Sequence, residues 1–173
     1  MSKKDSPTSD AVDAILKQWS RERPELDLSP MAAIGRIQRC AALLQIQLDQ
    51  HFAQYGLSLW EFDMLAALRR SGQPYCLSPT ELFSTLMVTS GTMTHRLKRM
   101  ESTGLIQRVA NPADARSMLV KLTEQGLKLI DQMITGHVEN EQNILADMSH
   151  ADIELLDQQL AKLLSVLEAQ RQS

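Results

Sequence analysis

RVANPADARSMLVKLTEQG, residues 108–126, alternates apolar and polar side chains, breaks at Asn111-Pro112, alternates again and stops at Thr123. A period of two is the signature of a half-buried strand. It marks two short strands, LIQRV (105–109) and SMLVKL (117–122), joined by ANPADAR (110–116), with Arg116 at the base of the hairpin. The stretch just before it, THRLKRMESTG (94–104), reads as a helix ended by Gly104, and it is the most basic part of an acidic protein.

Working outward, the rest of the 173-residue chain reads as helix. DAVDAILKQWSRE (10–22) is a short helix closed by Pro24. Ser29-Pro30 reads as an N-cap followed by proline at the first helical position. From there Ile34, Ile37, Ala41, Leu44, Leu48 and Phe52 form one apolar stripe of a helix near 30–54, with Gly56 as its stop. SLWE (58–61) is a capping box opening a helix that turns Leu59, Phe62, Leu65 and Leu68 inward and ends at Ser71-Gly72. SPTE (78–81) is a second box, opening a short helix, and another helix follows over about 90–102.

Thr123 opens a longer helix whose inward side is expected to be Leu127, Ile130, Ile134, Val138 and Leu145. SHAD (149–152) caps the last, where Ile153, Leu156, Leu160, Leu163 and Leu167 step three and four like a coiled-coil seam. Two short helices with the second one basic, followed at once by a hairpin, predict a winged helix-turn-helix. One such lobe is too small to cover three long amphipathic helices, so a second copy is expected to cover them. The fold class expected is mainly α with a small β-wing. Its parts are an N-terminal extension (1–29), a first long helix for dimerisation and core (30–57), a winged DNA-binding lobe (58–122) and C-terminal dimerisation helices (123–173).

Charge placement sharpens this. The chain carries a formal −3, yet Arg96, Lys98, Arg99, Arg108, Arg116 and Lys121 outweigh Glu101 and Asp114 over 89–121, a local +4 that leaves −7 elsewhere. A basic patch on an acidic protein suits a polyanionic partner while the remainder keeps the chain soluble. The alternative is a solvated face and a hairpin that only caps the core. The polar start MSKKDSPTSD has no apolar stretch behind it, and no run of about 18 apolar residues occurs, so a cytoplasmic protein with no membrane partner is expected. Cys40 and Cys76 are too few for a metal or disulfide framework and read as small buried hydrophobes. His51, His95, His137 and His150 fall on separate helices, and no phosphate loop or nucleophile elbow is present. Neither an enzyme, a metal nor a cofactor is expected.

SGTMTHRLKRMESTGLIQRVANPADARSMLVKLTEQG resembles the MarR family of transcriptional regulators, and the likeness covers nearly the whole chain. It lies in the helix ending RMESTGLIQR, the wing pattern Asp-x-Arg (Asp114, Arg116) and Leu-Thr-x-x-Gly (Leu122, Thr123, Gly126). The resemblance implies that Asp114 locks the wing arginine by a salt bridge and that Arg116 enters a minor groove. It also implies that Ser90, Thr92, His95 and Arg96 meet bases and phosphates. Lys98 stands where the family usually has an acidic residue, which adds a cation to the same helix.

QWSRERPELDL (18–28) is similar to the PecS and urate-responsive branch of the family. That similarity implies a repressor released from a pseudo-palindromic operator by a small aromatic or purine anion, held by Trp19, Asp63, Arg70 and Arg96. Asp63 and Arg70 are seven residues apart and share a helix face. A flat heterocycle stacks on an indole, pairs with guanidinium groups and donates N–H bonds to a carboxylate. Set against this, Trp19 simply packs the added helix and Asp63–Arg70 is a structural ion pair. Two further readings stay open. A thiol-based oxidant sensor of the same fold needs a depressed thiol pKa beside positive charge, for which Cys40 follows Arg39. A helical adaptor that binds no DNA leaves the basic helix and wing idle.

Overall fold

In the computed structural model, which describes residues 9–86 and 93–172, the chain forms two compact units that part between Gln54 and Tyr55. The first holds α1 (Ala11–Glu22) and α2 (Ser29–Ala53). Asp10 caps α1 by accepting the backbone N–H groups of Val12 and Asp13, and Asp13 returns the bond to the Asp10 N–H. Arg36 of α2 then reaches Asp10 at 2.8 Å and Asp13 at 2.5 Å. Both carboxyls are held below the usual carboxylate range, first by backbone N–H groups and then by that guanidinium. Val12 is buried, and a Cβ at Gly35 would stand 3.3 Å from its Cγ1, so a small residue lets the helices approach here.

The cap of α2 differs from the expected one. Ser29 is the first helical residue, Leu28 is the cap, and Pro30 falls within the first turn. Asp27 explains the shift, because it accepts both the N–H and the hydroxyl of Ser29 at 3.0 Å and so spends the serine outside the helix. The apolar stripe of α2 is present, but Ile34, Ile37, Ala41 and Leu44 are exposed and only Phe52 is buried.

The second unit orders α3 (Leu59–Arg70), β1 (Cys76–Leu77), α4 (Pro79–Thr85), α5 (Met93–Ser102), β2 (Ile106–Asn111), β3 (Asp114–Leu122), α6 (Glu124–Ile144) and α7 (His150–Gln172). Both capping boxes form: Ser58 donates its N–H to Glu61 at 2.8 Å, and Ser78 donates its N–H to Glu81 at 2.8 Å. The three strands make an antiparallel sheet in the order β1-β3-β2, and β1 is an element the sequence pattern did not reveal. Met64, Leu65 and Leu68 of α3, Leu82 of α4, Leu97 and Met100 of α5, Ile106 and Val120 of the sheet, and Ile130 and Met133 of α6 form the core.

Leu-Thr-x-x-Gly has a clear physical basis. The Thr123 hydroxyl donates to the Gly104 carbonyl at 2.7 Å and accepts the Gly126 N–H at 3.0 Å, which caps α6 and ties it to the end of α5. A Cβ on Gly126 would lie 2.0 Å from the Leu105 carbonyl oxygen, so no larger residue fits. The buried side of α6 is Gly126, Ile130 and Met133, whereas Ile134 and Val138, expected inward, are exposed. On α7, Leu156, Leu160, Leu163 and Leu167 are likewise uncovered by their own chain.

Candidate nucleic-acid interface

Helix α5 buries Leu97 and Met100, one turn apart, and thereby turns His95 and Lys98 to solvent. Glu101 on the last turn pairs with Arg108 of β2 at 3.3 Å, joining the helix to the wing. Ser90 and Thr92, expected at the start of this surface, lie outside the described residues, as does the expected helix start at 90.

Arg96 is on the flank of α5 rather than its outward face. Its guanidinium lies over the ring of Trp60, 5.0 Å from the centroid, and that of Arg99 lies 5.7 Å from the same centroid. Arg99 also meets Glu61 at 3.1 Å. Glu61 is only 2% exposed. Its second oxygen accepts the Ser58 hydroxyl at 2.6 Å, so this buried carboxylate is satisfied on both sides. Sequence reasoning recorded Glu61 as a cap and passed over Trp60. The available signal was an aromatic residue in the first turn of α3 and two arginines at i, i+3 on the basic helix.

The wing is longer than the pattern suggested, and Arg116 is near its tip, not its base. Strand pairing continues to Asn111 opposite Asp114, leaving Pro112-Ala113 as the turn. Asn111 closes that turn by accepting the Ala113 N–H at 3.0 Å and donating to the Ser117 hydroxyl at 2.9 Å. Asp114 accepts the Arg116 N–H at 3.0 Å and stands 3.5 Å from its Nε. The Arg116 side chain is 94% exposed, a cation held out at the end of a two-stranded arm.

The candidate ligand residues divide between the units. Trp19 is an exposed residue of α1 in the first unit. Asp63 and Arg70 are on α3 of the second. Burial pushes the Asp63 carboxyl above its usual range, opposed by the charges of Arg70 and His137. Among the described residues no salt bridge joins Asp63 to Arg70, whose Nη2 donates instead to the Thr85 carbonyl at the end of α4, 3.4 Å away. The simple structural ion pair is therefore absent.

Cys40 is exposed, contrary to the buried reading, while Cys76 is partly buried. Burial raises the Cys76 thiol, opposite to what an oxidant sensor needs. Among the described residues no His, Cys, Asp or Glu cluster suited to a metal occurs, and no helix is long and apolar enough to cross a membrane.

Comparison with known proteins agrees with this geometry. Residues 55–117 match the MarR family model. Over 141 residues the chain is 43% identical to the HTH-type transcriptional regulator PecS of Dickeya dadantii, covering 82% of this chain and 85% of the relative. It is 31% identical over 122 residues to the multiple antibiotic resistance protein MarR of Salmonella typhimurium, covering 68% of this chain and 80% of that one. Among solved structures, a MarR mutant from Escherichia coli complexed with operator DNA has a TM-score of 0.68 at 25% identity, covering 79% of this chain and 97% of the other.

Proposed function

The chain belongs to the MarR family of DNA-binding transcriptional regulators, not to an enzyme family, and from that premise we propose that it is a cytoplasmic repressor released from its operator by a small aromatic or purine anion such as urate. It acts as a homodimer on a pseudo-palindrome. The outward face of α5 (His95 and Lys98) enters the major groove, Arg96 contributes from its flank, and Arg116 reaches the flanking minor groove; the family resemblance adds Ser90 and Thr92 to the base and phosphate contacts. The exposed apolar faces of α2 and α7 supply the dimer contacts.

The observation that carries the ligand reading is the state of Asp63. A half-buried carboxyl raised by burial, with Arg70 and His137 as its countercharges, is a hydrogen-bond acceptor poised in a partly dehydrated place. Such a group suits the N–H edge of a weakly acidic heterocycle, whose negative charge then falls to Arg70 and Arg96. The likeness to the urate-responsive branch adds Trp19 as the aromatic partner. To weaken DNA binding tenfold the anion must prefer the free protein over the DNA-bound form by about 1.4 kcal/mol, which one charge-assisted hydrogen bond supplies.

A gel shift on DNA upstream of the protein's own gene, with urate, xanthine, salicylate and phenolic acids in turn, tests the reading. Release by a purine anion is expected; a complex indifferent to all of them removes the switch and leaves a constitutive regulator.

A further inference from the structure

We propose that Trp60 is a positioning residue for the DNA-reading helix, a single indole face that holds Arg96 and Arg99 and thereby sets the rotation of α5 on the lobe. The two guanidinium groups lie 5.0 and 5.7 Å from the ring centroid, both within cation–π range. They are one turn apart on α5, so a single plate reaches both. The plate itself is fixed. Trp60 is in the first turn of α3, next to Glu61, whose carboxylate is locked between the Ser58 N–H and hydroxyl on one side and Arg99 on the other. Phe62, Met64 and Leu65 of the same helix are buried, so α3, which carries the ring, is anchored in the core.

A basic helix seeking phosphate needs a defined rotation, because a turn about its own axis exchanges which side chains face the groove. Leu97 and Met100 limit that rotation from the inner side. Trp60 limits it from the flank by engaging Arg96 and Arg99, so that Arg96 meets the DNA from a fixed seat. The outward positions, His95 and Lys98, are then the ones presented. This role of Trp60 rests on DNA binding alone and is independent of release by urate.

The test uses the full-length protein. Operator affinity is measured by anisotropy for the wild type, Trp60→Phe and Trp60→Leu, beside their thermal unfolding. Phenylalanine keeps a π face and leucine keeps apolar bulk alone. The expected result is binding within about threefold of wild type for Trp60→Phe and about tenfold weaker for Trp60→Leu, at similar unfolding midpoints. Equal binding by all three proteins, or equal loss in both variants, overturns the proposal. A second measurement needs no DNA and no leucine variant. The chain has two tryptophans, so Trp19→Phe leaves Trp60 as the sole indole. Adding Arg96→Ala or Arg99→Ala shifts its emission spectrum if the guanidinium groups rest on the ring in solution; a spectrum unchanged by both overturns the proposal even where operator binding has not been measured.

Discussion

Asp114 and Arg116, two residues apart on β3, are joined through one carboxylate oxygen, which accepts the arginine's N–H at 3.0 Å and stands 3.5 Å from its Nε. The bond to the backbone is the firmer of the two, so Asp114 shapes the strand first and steers the guanidinium second. An exposed ion pair of that length adds little to stability. Its proposed value is in aiming the guanidinium.

Arg116→Ala weakens operator binding by about 1–3 kcal/mol if the arginine enters a groove. Asp114→Ala loosens the same contact and costs less. Both fold as the wild type does. Salt titration of the wild type gives a steep loss of affinity as counterions return to the phosphates. An Arg116→Ala protein that binds as tightly as wild type takes the wing out of the mechanism.

The uncovered leucines of α7 carry the second prediction. Leu160→Glu with Leu163→Glu places two carboxylates in the seam that a second copy is proposed to cover. Sedimentation should show a dimer for the wild type and a monomer for the variant, and the variant should lose operator binding. A wild type that sediments as a monomer at micromolar concentration contradicts the proposed assembly.

Gly126→Ala tests the joint between α5 and α6. The added Cβ would meet the Leu105 carbonyl oxygen at 2.0 Å, and backbone must move to admit it. A loss of about 1–3 kcal/mol in denaturant unfolding is expected, the usual cost of overpacking a close contact. Unfolding at the wild-type midpoint shows that the joint is looser than described.

Asp63 has a pH signature whose sign is fixed by its raised carboxyl. Between the ordinary value of 3.8 and the raised one, the folded chain holds a proton that the unfolded chain has lost. Folding therefore loses stability as pH rises through that window. Asp63→Asn removes the penalty, so its stability relative to wild type improves as pH climbs above about 3.8 and then levels. A difference between the two that does not vary with pH contradicts the burial of this carboxyl.

Much of the architecture was readable because it is written in local chemistry. The boxes at Ser58–Glu61 and Ser78–Glu81, the Thr123 cap and the Gly104 stop each act within four residues, and each formed as expected. What depends on distant partners was not readable. β1 is two residues long, too short for any period, and exists through its pairing with Lys121 and Val120. Ser29 was drawn off its cap by Asp27, a competition that spacing alone does not rank. Apolar periodicity on α2, α6 and α7 located the stripes but not what covers them, so Ile130 is buried as expected, whereas Ile134 and Val138 are exposed and Met133, which the stripe omits, fills the core. At the candidate interface, residue type made Arg96 a candidate, yet its seat on Trp60 arises from two helices meeting across more than thirty residues of chain.

The most direct test of the central claim is anisotropy of labelled operator titrated with wild-type, Trp19→Phe and Asp63→Ala protein, each with and without urate. Similar operator affinity is expected for all three in the absence of urate, with release of the wild type by urate and a blunted response in both variants. Variants that release the operator as readily as the wild type would contradict the assignment of the ligand to Trp19 and Asp63.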